Sequence, residues 1–142
     1  MVFRFMPVRV LGATMVIATS MAGCATQAPA CRSGEQAMVS DQLYFGTDIP
    51  GGGGRVTAEA WSGFLRDAVT PRFPQGLSVW PAAGQWRGAD GQVVREDSNV
   101  LVLVHAGDDA AERAVQAIVA EYKTRFRQEA VLRVKAPGCA SF

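Results

Sequence analysis

Val100-Leu101-Val102-Leu103-Val104 is the stretch whose reading decides the fold. Five consecutive aliphatic residues leave no polar side for solvent. A run apolar on both faces belongs to an interior strand of a sheet. The run is the second half of a strand predicted over residues 92–106. Immediately upstream, Asp90-Gly91 supplies a hairpin turn, and residues 76–87 form the strand leading into it. Pro81 falls in that strand. A proline donates no ladder hydrogen bond, so this strand belongs at an edge or carries a bulge.

Further upstream, Trp61, Phe64, Leu65, Ala68 and Val69 recur at helical spacing, the stripe of an amphipathic helix. Thr57 is its N-cap, Glu59 suits its first turn, and Pro71 stops it. Before it, residues 47–55 contain Pro50 and four consecutive glycines, an irregular loop. Residues 38–46, MVSDQLYFG, read as the first strand. Downstream, Asp109 with Glu112 makes a capping-box-like start. It leads into a helix with Ala111, Val115, Ile118, Val119, Tyr122 and Phe126 on one side. Residues 129–135 form the last strand, where Leu132 and Val134 alternate with Arg133 and Lys135; a charged side suits an edge.

The order strand-helix-strand-strand-helix-strand predicts an α+β, ferredoxin-like βαββαβ two-layer sandwich with a four-stranded antiparallel sheet. That topology places the first and third strands inside and the second and fourth at the edges. Pro81, the charged last strand and the aliphatic run all fall where it requires.

The amino terminus has a different character. Arg4 and Arg9 precede an uncharged stretch, Val10 to Ala22, which ends in Met21-Ala22-Gly23-Cys24. A basic start, a short apolar core and small residues at a cut are the parts of a secretory signal. The core is too short for a membrane span, which takes about 20 apolar residues. The tetrad resembles the bacterial lipobox, with Met21 where leucine is usual. The resemblance implies cleavage before Cys24 and a lipid, of the palmitate type, on its thiol. A cut after Ala28-Pro29-Ala30 is the rival and would release an unanchored protein. The domains expected are therefore a signal peptide over residues 1–23, a polar tether over 24–37 and one domain over 38–142. Ala25 after the lipidated cysteine resembles the sorting pattern of outer-membrane rather than inner-membrane lipoproteins. The expected location is the cell envelope, facing the periplasm.

With Cys24 assigned to lipid, Cys31 and Cys139 remain as a pair in an oxidising compartment, and a disulfide between them is expected. The topology brings the start of the first strand beside the end of the fourth, which suits that bond. A formal charge of +1, with basic residues scattered among acidic ones, gives no footprint for nucleic acid.

The runs LYFG at 43–46, VTPRFPQGLSV at 69–79, GQWR at 84–87 and YKTRFRQEAVLRV at 122–134 resemble a bacterial family of lipoproteins. The domain of that family has no assigned function. The resemblance implies a compact α+β domain on a lipid tether and supplies no reaction.

Candidate chemistry is sparse. Gly51 to Gly54 lack the Lys-Ser/Thr of a phosphate loop and the spacing of a dinucleotide fingerprint. His105, the one histidine, cannot build a metal site alone. It is expected as a satisfied strand-end residue, with a general base as the sharper reading. Gln85, Trp86, Arg87 and Glu96, counted across the hairpin, face one another as a candidate small-molecule site or as a cross-strand pair that holds the turn. No metal and no cofactor is expected.

Two functions follow. The first is a non-catalytic structural or interaction module, held to the membrane by its N-terminal lipid, whose open sheet face meets a second copy or another envelope protein. The alternative rests on analogy of fold alone: a small-molecule binder or cofactor-free enzyme of the dimeric ferredoxin-like type, using a cleft near Trp86, Glu96 and His105, with Asn99 beside them.

Overall fold

The computed structural model describes residues 30–87 and 91–142. The predicted signal peptide, Cys24, the tether through residue 29 and Asp90 lie outside them. The elements run β1 (Gln36–Gly46), α1 (Ala58–Phe64), β2 (Ser78–Arg87), β3 (Val93–His105), α2 (Asp109–Phe126) and β4 (Leu132–Ala140). All pairings are antiparallel and the order is β2-β3-β1-β4. This is the predicted α+β sandwich, with β1 and β3 inside. Pro81 stands opposite Asn99 in an unbroken register, so the edge position alone accommodates it.

Both helices lie on one face. Leu43, Phe45, Leu101 and Leu103 from the inner strands form one core with Trp61, Phe64 and Val69 and with Val115, Ile118, Tyr122 and Phe126. Phe45 and Tyr122 meet edge-on at 4.6 Å between ring centroids, and Phe64 and Tyr122 at 5.0 Å. The buried Tyr122 hydroxyl donates to the Gly46 carbonyl at 2.9 Å. Burial, and then the charge of Glu96, push its ionisation well above the usual phenol range.

The helix boundaries differ from expectation in two instructive ways. Thr57 does cap α1, accepting from Ala60 N–H at 3.1 Å, but Leu65–Val69 widens into a π-helical turn closed by Thr70 N–H to Leu65 O at 2.8 Å. The wide turn still buries Ala68 and Val69, which an α-helical stripe also predicts. The cap of α2 is Asp108, one residue before the expected Asp109. Its carboxylate accepts from Ala111 N–H at 2.8 Å, which frees Glu112 for another partner.

Cys31 and Cys139 are disulfide-bonded, with Cα atoms 5.6 Å apart. The first strand begins at Gln36, paired with Ala140, so the fold starts earlier than the predicted boundary at residue 38. The fourth strand runs past Lys135 to Ala140, carrying Pro137 on the sheet edge. The core, the sheet and the disulfide all fall within residues 31–142, so a chain beginning at Ala25 keeps every interaction described here. Among the described residues no helix is long and apolar enough to cross a membrane.

Candidate functional site

Strand alternation puts Asp41 on the same face of β1 as Leu43 and Phe45, against the helices, and it is fully buried. A carboxylate there survives only if its charge is matched. Arg133 of β4 matches it with two hydrogen bonds of 2.7 Å, Nε to Oδ1 and Nη2 to Oδ2. The same guanidinium reaches Glu112 of α2, Nη1 to Oε1 at 2.6 Å and Nη2 to Oε2 at 2.8 Å. Lys135 closes the cluster, Nζ to Glu112 Oε2 at 2.9 Å. Two carboxylates and two cations thus bind β1, β4 and α2 together with no net charge.

His105, at the end of β3, joins from the other side. Its Nε2 lies 2.9 Å from Asp41 Oδ2, and its Nδ1 accepts the Gly107 N–H at 3.1 Å. An acceptor Nδ1 carries no proton, so the ring is the neutral tautomer that donates from Nε2 to Asp41. Gly107 takes this position with φ +75°, a conformation side chains disfavour, and a Cβ there would strike Val39. Burial alone would raise the Asp41 carboxyl, but hydrogen bonds from Arg133 and His105 hold it below its ordinary value. Arg133, then Lys135, depress Glu112 far below the carboxylate range, and Glu112 with Asp41 raises Arg133.

Both ring nitrogens of His105 are thus occupied, the satisfied strand-end histidine of the plainer reading. Among the described residues no buried side-chain polar atom lacks a partner. The cluster holds the fold together and presents no free base.

The residues predicted around the hairpin are not brought together with His105. The register pairs Glu96 with Gly84, Gln85 with Arg95, Trp86 with Val94 and Arg87 with Val93. Glu96 accepts instead from Asp48 N–H at 3.2 Å. An Asp90-Gly91 two-residue turn would set Glu96 opposite Gln85. The register of the two strands is instead shifted by one residue, which sets Glu96 opposite Gly84. Glu96 and His105 are nine positions apart along β3, about 30 Å at the usual rise. Cys31, Cys139 and Glu35 lie close enough to hold a metal ion, but both sulfurs are spent in the disulfide.

Two surface features remain. The first is the sheet face away from the helices. By alternation the row Trp80–Val100–Tyr44–Leu132 crosses all four strands, with Ser78–Val102–Gln42–Val134 beside it. Trp80, Val104, Val134 and Leu132 are 44, 43, 46 and 61 % exposed. Glu96 is the one charged side chain that alternation assigns to this face. The second is a cleft of about 840 Å³ where β2 begins, bounded by the segment before β2, the end of β3 and the first turns of α2.

Comparison with known proteins agrees with the fold. A family model described as a protein of unknown function, DUF3574, matches residues 40–142. No curated protein matches the chain. Among solved structures, a phage SAM lyase in complex with S-methyl-5'-thioadenosine is similar at 19 % identity, covering 74 % of this chain and 90 % of that one, with TM-score 0.54. CutA from Synechococcus elongatus PCC7942 is similar at 11 % identity, covering 77 % and 87 %, with TM-score 0.51. At such identities the likeness concerns the fold.

Proposed function

This chain belongs to the DUF3574 family of proteins of unknown function, and from that premise we propose that it is a lipid-anchored, non-catalytic module of the cell envelope. It pairs with a second copy through the open face of its sheet. The observation that carries this reading is the row Trp80–Val100–Tyr44–Leu132, which crosses all four strands with Trp80 and Leu132 exposed at its two ends and Val100 buried between them. An apolar patch of that continuity is normally a contact surface. A second copy suits it because two-fold pairing sets the same surface against itself, where any charge meets its like. This face carries only Glu96, which is tied to the Asp48 N–H.

The anchor rests on Met21-Ala22-Gly23-Cys24 and the basic, short apolar stretch before it. The Cys31–Cys139 bond suits the oxidising compartment to which such a signal delivers a protein. The outer membrane, with the domain facing the periplasm, is the location that Ala25 favours. The alternative, an enzyme built on Trp86, Glu96 and His105, has no juxtaposition to carry it.

Light scattering on a chain beginning at Ala25 tests the pairing, with a dimer expected and Leu132→Glu expected to return it to monomer. A monomer that captures a different envelope protein through the same face would replace the second copy with that partner. A monomer with neither would sink the reading. Mass spectrometry of the full chain expressed in bacteria tests the anchor separately: a diacylated N-terminal Cys24 is expected, and a free amino terminus at Cys31 would refute it.

A further inference from the structure

We infer that the cleft at the start of β2 is a binding site for a small amphiphile with an apolar chain and a carboxylate head, of the fatty-acid type. Its volume of about 840 Å³ lies within the range of small-molecule sites and is well above two further depressions among the described residues, of about 440 and 490 Å³. The space exists for a sequence reason. The first turns of α2 present Ala110, Ala111 and Ala114 to it, so this end of the helix does not fill the gap beside β3. The register of β2 starts with Ser78 opposite Val102, so no β2 residue pairs with Leu103 to His105. Phe73 and Leu77 supply further apolar wall, and Val102 and Val104, on the other face of the sheet, border the cleft around the edge that β2 leaves free.

The ionisable groups on the wall are Arg72, His105 and Asp108. His105 is neutral with both nitrogens bound, and one Asp108 oxygen caps Ala111. Arg72 differs. Its Nη1 donates to Ala68 O at 2.5 Å and pairs with Glu121 at 3.3 Å. Its Nε and Nη2 make no hydrogen bond among the described residues, and that edge of a guanidinium is the one that matches a carboxylate with two parallel bonds. An apolar body along the alanines, Phe73 and Leu77 with a carboxylate at Arg72 uses both halves of the cleft. An uncharged amphiphile uses only the apolar half.

The test is titration of the chain beginning at Ala25 with cis-parinaric acid, a fluorescent long-chain carboxylic acid, with dodecanoate and dodecanol as competitors. Saturable binding is expected, with dodecanoate displacing the probe at about tenfold lower concentration than dodecanol, the worth of a charge-assisted hydrogen bond. Arg72→Gln should abolish that preference, and Ala114→Phe should abolish binding by filling the cleft. If Ala114→Phe fails to fold by circular dichroism, Ala110→Trp, at an exposed helix position, serves the same purpose. Binding that survives the filling variant, binding lost in Leu132→Glu on the sheet face, or equal competition by the two dodecyl compounds overturns the inference. Absence of saturable binding overturns it as well.

Discussion

The two faces of the sheet are dressed the wrong way round at β4. Its charged residues, Arg133 and Lys135, lie on the face covered by helices, while Leu132 and Val134 lie on the uncovered face. On the covered side the charges are affordable because Asp41 and Glu112 arrive from β1 and α2 to match them. On the open side Leu132, Val134 and Val104 stay 61, 46 and 43 % exposed among the described residues. An edge strand with its apolar side outward makes sense where another surface completes the fold, so the contrast separates what holds this domain together from what it offers to a partner.

The contrast breaks most sharply at Asp41. Asp41→Ala removes the fully buried carboxylate between Arg133 and His105, leaving the guanidinium half-matched by Glu112 alone. Removing one partner of a buried ion pair costs about 3 kcal/mol or more. Urea denaturation of the chain beginning at Ala25 should show a midpoint lowered accordingly. A loss below about 1 kcal/mol would mean that the cluster merely decorates the fold.

Much of the architecture is legible in the sequence, because each element carries its own period and its own punctuation. The aliphatic run 100–104, the stripe from Trp61 to Val69 and Pro81 on an edge are local signals, and the structure agrees with them. The ion cluster is not local. Asp41 pairs with a residue 92 positions away and Glu112 with one 21 away. Alternation with Leu43 and Phe45 already marks Asp41 as inward, and an inward carboxylate demands a cation. Reading Arg133 and Lys135 as solvent-facing because they sit on an edge strand hides that cation. Prediction of the hairpin site fails for a smaller reason, a register shifted by one residue, which moves Gln85 from opposite Glu96 to opposite Arg95.

Acid should attack the covered face next. Asp41 and Glu112 both have ionisation lowered by folding. Their contribution is therefore complete above the unfolded carboxylate range and is lost as pH falls through it toward the folded values. Melting temperature should be flat from neutrality to about pH 5 and decline below it. In Glu112→Gln the neutral-pH stability should drop and the decline should flatten, because one of the titrating groups is gone. An unchanged acid limb in that variant would show that the carboxylates responsible lie elsewhere.

The open face should respond least of all to substitution in the monomer, and that insensitivity is itself diagnostic. Leu132 is 61 % exposed and lies on the face of β4 away from the helices. Leu132→Ser in dilute protein should change unfolding free energy by no more than about 0.5 kcal/mol, as for other surface positions. At high concentration the two chains should part company. Pairing stabilises the folded state by mass action, so the melting temperature of the unsubstituted chain should rise with protein concentration. That of Leu132→Ser should stay level, since a hydroxyl buried against a second copy finds no assured partner there. If both rise equally, pairing uses another surface; if neither rises, the face is not a site of self-association.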